Sequence, residues 1–100
     1  MSRHARIEID GDCLCLVATD RRKAVLTASV DDALRCVSEQ IGGLSTTEPE
    51  LRRLWVGRSV LWCYRVRVLD VTAAEPLAEE LRARQFRVEV DRARAGGFGA

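Results

Sequence analysis

Four cysteines, one histidine and a group of arginines interleaved with aromatic residues are the side chains of this 100-residue sequence with chemistry to offer. Cys13 and Cys15 stand two residues apart, which on a strand puts both sulfurs on one face, where Cys36 or Cys63 would have to join them to hold a soft metal. The spacing argues against that. A structural zinc site pairs closely spaced Cys residues with a second Cys or His pair, whereas Cys36 and Cys63 stand alone. Reduced cysteines packed as small hydrophobes are expected, with no metal and no cofactor. A Cys-x-x-Cys pair for redox chemistry is absent. His4 lies in a terminal segment expected to be poorly ordered, with no nucleophile beside it. The carboxylates Asp10, Asp12, Asp31, Asp32, Glu48, Glu50, Glu75, Glu79 and Glu80 read as turn, cap and solvated-helix residues, not as an acid/base pair. Gly96-Gly97-Phe98-Gly99 follows a charged segment, which is not the strand-to-helix context of a phosphate loop.

The most functional-looking group is basic and aromatic: Arg52, Arg53, Trp55, Arg58, Arg65, Arg67, Arg82, Arg84 and Arg87, several of which converge if the last two strands are adjacent. Arginine and tryptophan are enriched at protein interfaces. The same set would hold the phosphates of RNA or single-stranded nucleic acid while Trp55 or Tyr64 stacks on a base. The charge balance weighs against a blanket nucleic-acid reading. Residues 1 to 50 hold six basic and nine acidic side chains, residues 51 to 100 hold ten and six, and the net charge is only +1. Fifteen of the sixteen basic residues are Arg, a bias that a GC-rich coding sequence produces without any function.

The elements that must position these residues follow from periodicity. Ala5, Ile7 and Ile9 alternate with charges, Asp10-Gly11-Asp12 signals a turn, and Cys13 to Ala18 is an apolar strand. After the polar break at 19–22, Ala24 to Ala28 reads as a third strand. Ser29 then caps a helix whose stripe is Val30, Ala33, Leu34, Val37 and Ile41, stopped by Gly42-Gly43. Thr47-Glu48-Pro49-Glu50 resembles a capping box, predicting a short helix through Leu51, Leu54 and Trp55. Ser59 to Leu69 is a strand, Thr72 to Glu75 caps a second long helix lined by Ala74, Leu77, Ala78 and Leu81, and 86–91 is a last strand.

The expected order is β-β-β-α-(short α)-β-α-β in a small two-layer α+β sandwich, with a mixed or antiparallel sheet and two main helices on one face. Residues 1–91 form the single domain and 92–100 a flexible Gly/Arg-containing tail. No apolar run is long enough for a membrane helix and no leader is read, so the expected location is the cytoplasm. One conflict stands out. The runs at 13–18 and 60–64 are apolar at nearly every position, as in strands buried on both faces, yet two helices cover one side only. The Leu51 to Trp55 segment, a sheet curled toward a small barrel or a second copy of the chain packed face to face would resolve it, and the second copy is the preferred expectation. The sequence thus points to a protein-interaction or regulatory domain that self-associates as a homodimer through an apolar sheet face. RNA or single-stranded nucleic-acid binding is the alternative, and a small enzyme or ligand-binding protein with its site at a dimer interface is a third.

Overall fold

The structure, a computed structural model, describes residues 3–92. Its elements are β1 (His4–Asp10), β2 (Cys13–Asp20), α1 (Lys23–Ile41), β3 (Glu50–Val56), β4 (Ser59–Val68), α2 (Ala74–Ala83) and β5 (Arg87–Arg92). The five strands form one mixed sheet in the order β3-β4-β2-β1-β5. β1 with β2, β2 with β4 and β3 with β4 are antiparallel, while β5 lies parallel to β1. Both helices pack on one face, which makes a small two-layer α+β sandwich.

Two expectations fail for one reason, a period read over too short a window. Ala24 to Ala28 is the first part of α1, not a strand, and Ser29 lies inside the helix rather than capping it. Leu26, Val30, Ala33 and Val37 are buried at spacings of four, three and four, so the helical stripe extends back beyond the expected start. The segment through Leu51, Leu54 and Trp55 is strand β3, not a short helix. Its capping-box threonine instead ties the loop to β4, the Thr47 amide donating to the Arg67 carbonyl at 2.9 Å and the Arg67 amide to Thr47 Oγ1 at 3.1 Å. The order is therefore β-β-α-β-β-α-β. A third adjustment is local: Asp70, not Thr72, caps the turn into α2, accepting from the Thr72 amide at 3.0 Å. Of the expected tail, Arg92 closes β5 and the remainder lies outside the described residues.

The core sits between sheet and helices. Ile7, Leu14, Leu16 and Val68 from the strands meet Leu26, Val30, Val37, Leu77 and Leu81 from the helices, all fully buried. Each such side chain contributes on the order of 1.5 to 3 kcal/mol relative to exposure. Tyr64 is buried beneath α1 and its hydroxyl donates to Asp31 Oδ1 at 2.6 Å. Asp20 is the single buried charged residue among the described ones. Arg3 neutralises it, and also reaches Ser29 Oγ at 3.2 Å and the Arg84 carbonyl at 2.9 Å. The same guanidinium stacks over the Phe86 ring at 4.3 Å, so the start of the chain is fastened to both ends of the sheet's helical layer. None of the described helices is long and apolar enough to cross a membrane.

Candidate functional site

Strand order decides where the nine predicted surface residues go. β4 and β5 are separated by β2 and β1, so the expected convergence of their arginines does not occur. Arg52, Arg65 and Arg67 share the uncovered face near the β3 edge, and Arg87 shares that face at the opposite edge. Arg53 and Trp55 lie on the helix-side face of β3, Arg58 is in the β3–β4 turn, and Arg82 and Arg84 belong to the end of α2. Arg84 faces inward, bonding Asp32 at 2.5 Å and Glu80 at 2.8 Å. These contacts hold the Arg84 guanidinium pKa above its ordinary value, the Asp32 bond contributing most. Among the described residues it is the only one of the eight predicted arginines in an ion pair.

The uncovered face is not the apolar surface expected from the sequence. β2 places Cys13, Cys15, Val17 and Thr19 down its middle, all half-buried. Glu8 lies across from Cys15 on one side and Arg67 on the other, and Val17 likewise stands between Arg6 and Arg65. Arg6, Arg52, Arg65, Arg67 and Arg87 are matched in number by Glu8, Asp10, Glu50, Glu89 and Asp91 on the same face. Such a balanced face cannot track a phosphate backbone along its length. A shallow cavity of about 380 Å³ opens between Cys15, Thr47, Glu50, Arg65 and Arg67. A hydrogen bond to the Cys15 sulfur is the main cause of the raised Arg65 pKa, while burial pushes the Cys63 thiol up against the opposing pull of Arg65 and Arg52. Cys36 lies on α1 beneath the sheet, 3.5 Å from Arg84, and cannot join Cys13 and Cys15 around a metal. No cluster of three His, Cys, Asp or Glu side chains suited to a metal occurs among the described residues.

The apolar surplus is elsewhere. β2 pairs with β4 only from Trp62 to Val68, so Leu54 to Leu61 form a two-stranded arm with no third strand beside it. The arm closes through Gly57, whose φ of 62° suits the first position of a two-residue hairpin turn. Leu54, Trp55 and Val56 are 41%, 68% and 55% exposed, three of the four large apolar residues exposed in the described chain. At the arm's base Trp62 is only partly covered, by the core and by the Lys23 ammonium at 5.0 Å from its ring. The two-sided apolar run at 60–64 therefore marks the root of a projecting hairpin, not a strand sandwiched between layers. Trp55 and Arg58 stand out in the sequence but the arm does not, because Leu51, Leu54 and Trp55 also match a helical spacing; the Gly57-Arg58 turn between two apolar runs is the signal that marks it.

No family model matches the chain, and no curated protein does. Among solved structures, an essential ribosomal processing protease Prp from S. aureus, in complex with a covalently linked product peptide, aligns over 91% of this chain and 99% of its own, at 11% identity and a TM-score of 0.40. At that level the likeness carries no functional argument, and the fold stands on the strands and helices described above.

Proposed function

We propose that the chain is a small protein-interaction domain that pairs with a second copy of itself through the β3 edge and its projecting arm. The exposure of Trp55 between Leu54 and Val56, on a strand hydrogen-bonded along one side only, is the observation that carries this reading. An unpaired strand edge is a template for a further strand, and tryptophan is the residue type most enriched where interface energy concentrates.

The charges along β3 select a register. Antiparallel pairing about a two-fold axis at Leu54 sets Leu54 against its own counterpart, Arg53 beside the copy's Trp55, and Glu50 toward the copy's Arg58. It thus combines an apolar centre, a cation–π contact and an opposite-charge pair. Axes at Arg52 or Arg53 instead set that arginine against itself. The association is through an edge, in place of the apolar sheet face expected from sequence. Light scattering over a dilution series tests it: the mass should approach twice the 11.2 kDa chain at high micromolar concentration, and a constant 11.2 kDa would overturn the reading.

A further inference from the structure

At the sheet edge opposite the arm, a cavity of about 550 Å³ opens between the start of β1 and the α2–β5 turn, lined by Arg3, His4, Arg82, Gln85, Phe86 and Arg87. We infer that this cavity is a binding site for a small phosphomonoester, a ligand carrying a terminal phosphate dianion. The inference does not rest on the self-association proposed above.

The lining is one-sided in its chemistry. It contains three guanidiniums, an imidazole and a carboxamide, and no carboxylate. Arg3 is already neutralised by buried Asp20, while Arg82 and Arg87 make no ion pair among the described residues. Two uncompensated cations match a dianion better than a monoanionic carboxylate, and guanidinium forks suit the oxygens of a phosphate. The acidic side chain nearest along β5, Glu89, lines the neighbouring cavity of about 170 Å³ rather than this one. A volume of about 550 Å³ exceeds what phosphate alone fills and lies within the usual range for small-molecule sites.

A second, independent feature sits at the same place. Gln85 has φ 71°, the only described non-glycine residue with positive φ. It stands just past the end of α2, where the Phe86 amide donates to the Leu81 carbonyl at 3.1 Å and the Gln85 amide to the Arg82 carbonyl at 3.0 Å, a helix-ending arrangement that favours glycine. A non-glycine residue held there against its conformational preference is itself part of the cavity lining. Strain of this kind gathers at ligand sites.

Titration calorimetry with ribose 5-phosphate, inorganic phosphate and unphosphorylated ribose tests the inference at fixed ionic strength. Ribose 5-phosphate should bind saturably at one per chain and ribose should not. Arg82→Gln and Arg87→Gln should each weaken binding at least tenfold, while Arg35→Gln, the same charge change on the solvent side of α1, should leave it unaltered. Gln85→Gly relieves the backbone instead of straining it, so its expected several-fold loss of affinity cannot be ascribed to misfolding. The inference is overturned by no heat at millimolar ligand, by equal weakening in Arg35→Gln, or by binding of inorganic phosphate alone with no gain for the ester. A single-stranded oligonucleotide that binds more tightly than the ester through the same arginines would also overturn it.

Discussion

Arg3 holds more of the structure than its terminal position suggests. Its guanidinium neutralises Asp20, reaches α1 and the end of α2, and covers Phe86, while its carbonyl accepts from the Arg87 amide at 2.9 Å. Arg3→Ala leaves Asp20 buried without a counter-charge and should cost about 3 kcal/mol, read from urea midpoints. Asp20→Asn, which keeps the shape and removes the charge, should cost less. The carboxylates around Arg84 set the acid limit. Asp32 is held below the usual carboxylate range by bonds to Arg84 first and Arg35 second, and Glu80 by Arg84 and then Gln40. A depressed carboxyl pKa contributes stability that is complete above the unfolded value of about 4 and is lost as pH falls through the folded value. Stability should therefore decline below about pH 4, and Arg84→Met should flatten that slope between about pH 5 and 3 in denaturant melts. Because these carboxylates are only half-buried, high salt should shrink the difference between the two proteins.

The elements divide according to how much of each is set locally. β1, the Gly11 turn and β2 are legible because alternation and a glycine at φ 66° agree over a whole hairpin. The helical stripes of α1 and α2 are legible for the same reason, as a period repeated over several turns. β3 is not, since Leu51, Leu54 and Trp55 match a helical spacing over only two turns and nothing local reveals that β4 lies alongside. The start of α1 fails similarly: Ala24 to Ala28 is short, and Arg22 offers no side-chain cap to mark the boundary. At the other helix, the end of α2 carries a measurable cost. Gln85→Gly should raise stability by roughly 1 kcal/mol, seen as a higher melting temperature, because glycine occupies the left-handed region without penalty. A variant that gains nothing would mean that the Gln85 side chain contributes folded-state contacts of equal size.

For the whole molecule, the strand order matters more than composition. Convergence of the nine basic and aromatic residues requires the last two strands to be adjacent, and the sheet separates them because β5 returns to β1 and leaves β4 beside β3. The basic excess of the later half of the sequence is levelled on the open face for a related reason: Arg65 and Arg67 of β4 are offset by the surplus carboxylate that each of β1 and β5 carries there. The two edges of the sheet then have different characters, an apolar arm at β3 and a cation-lined cavity near β5. Leu54→Lys tests the first without disturbing the core, since Leu54 is already 41% exposed. It sets a charge against its own copy at the two-fold axis, and should return the mass to 11.2 kDa with an unchanged melting temperature for the monomer.

The parallel pairing of β5 with β1 joins the first and last described strands, His4 lying beside Arg87. β5 can therefore complete the sheet only once all the residues between it and β1 have been synthesised. Until then β1 is an open edge, and the Arg3 carbonyl lacks its amide. This contact closes a loop between the first and last described strands, so its closure is entropically late and raises the contact order of the domain. Without β5 the other four strands would present two edges for pairing, β1 as well as β3.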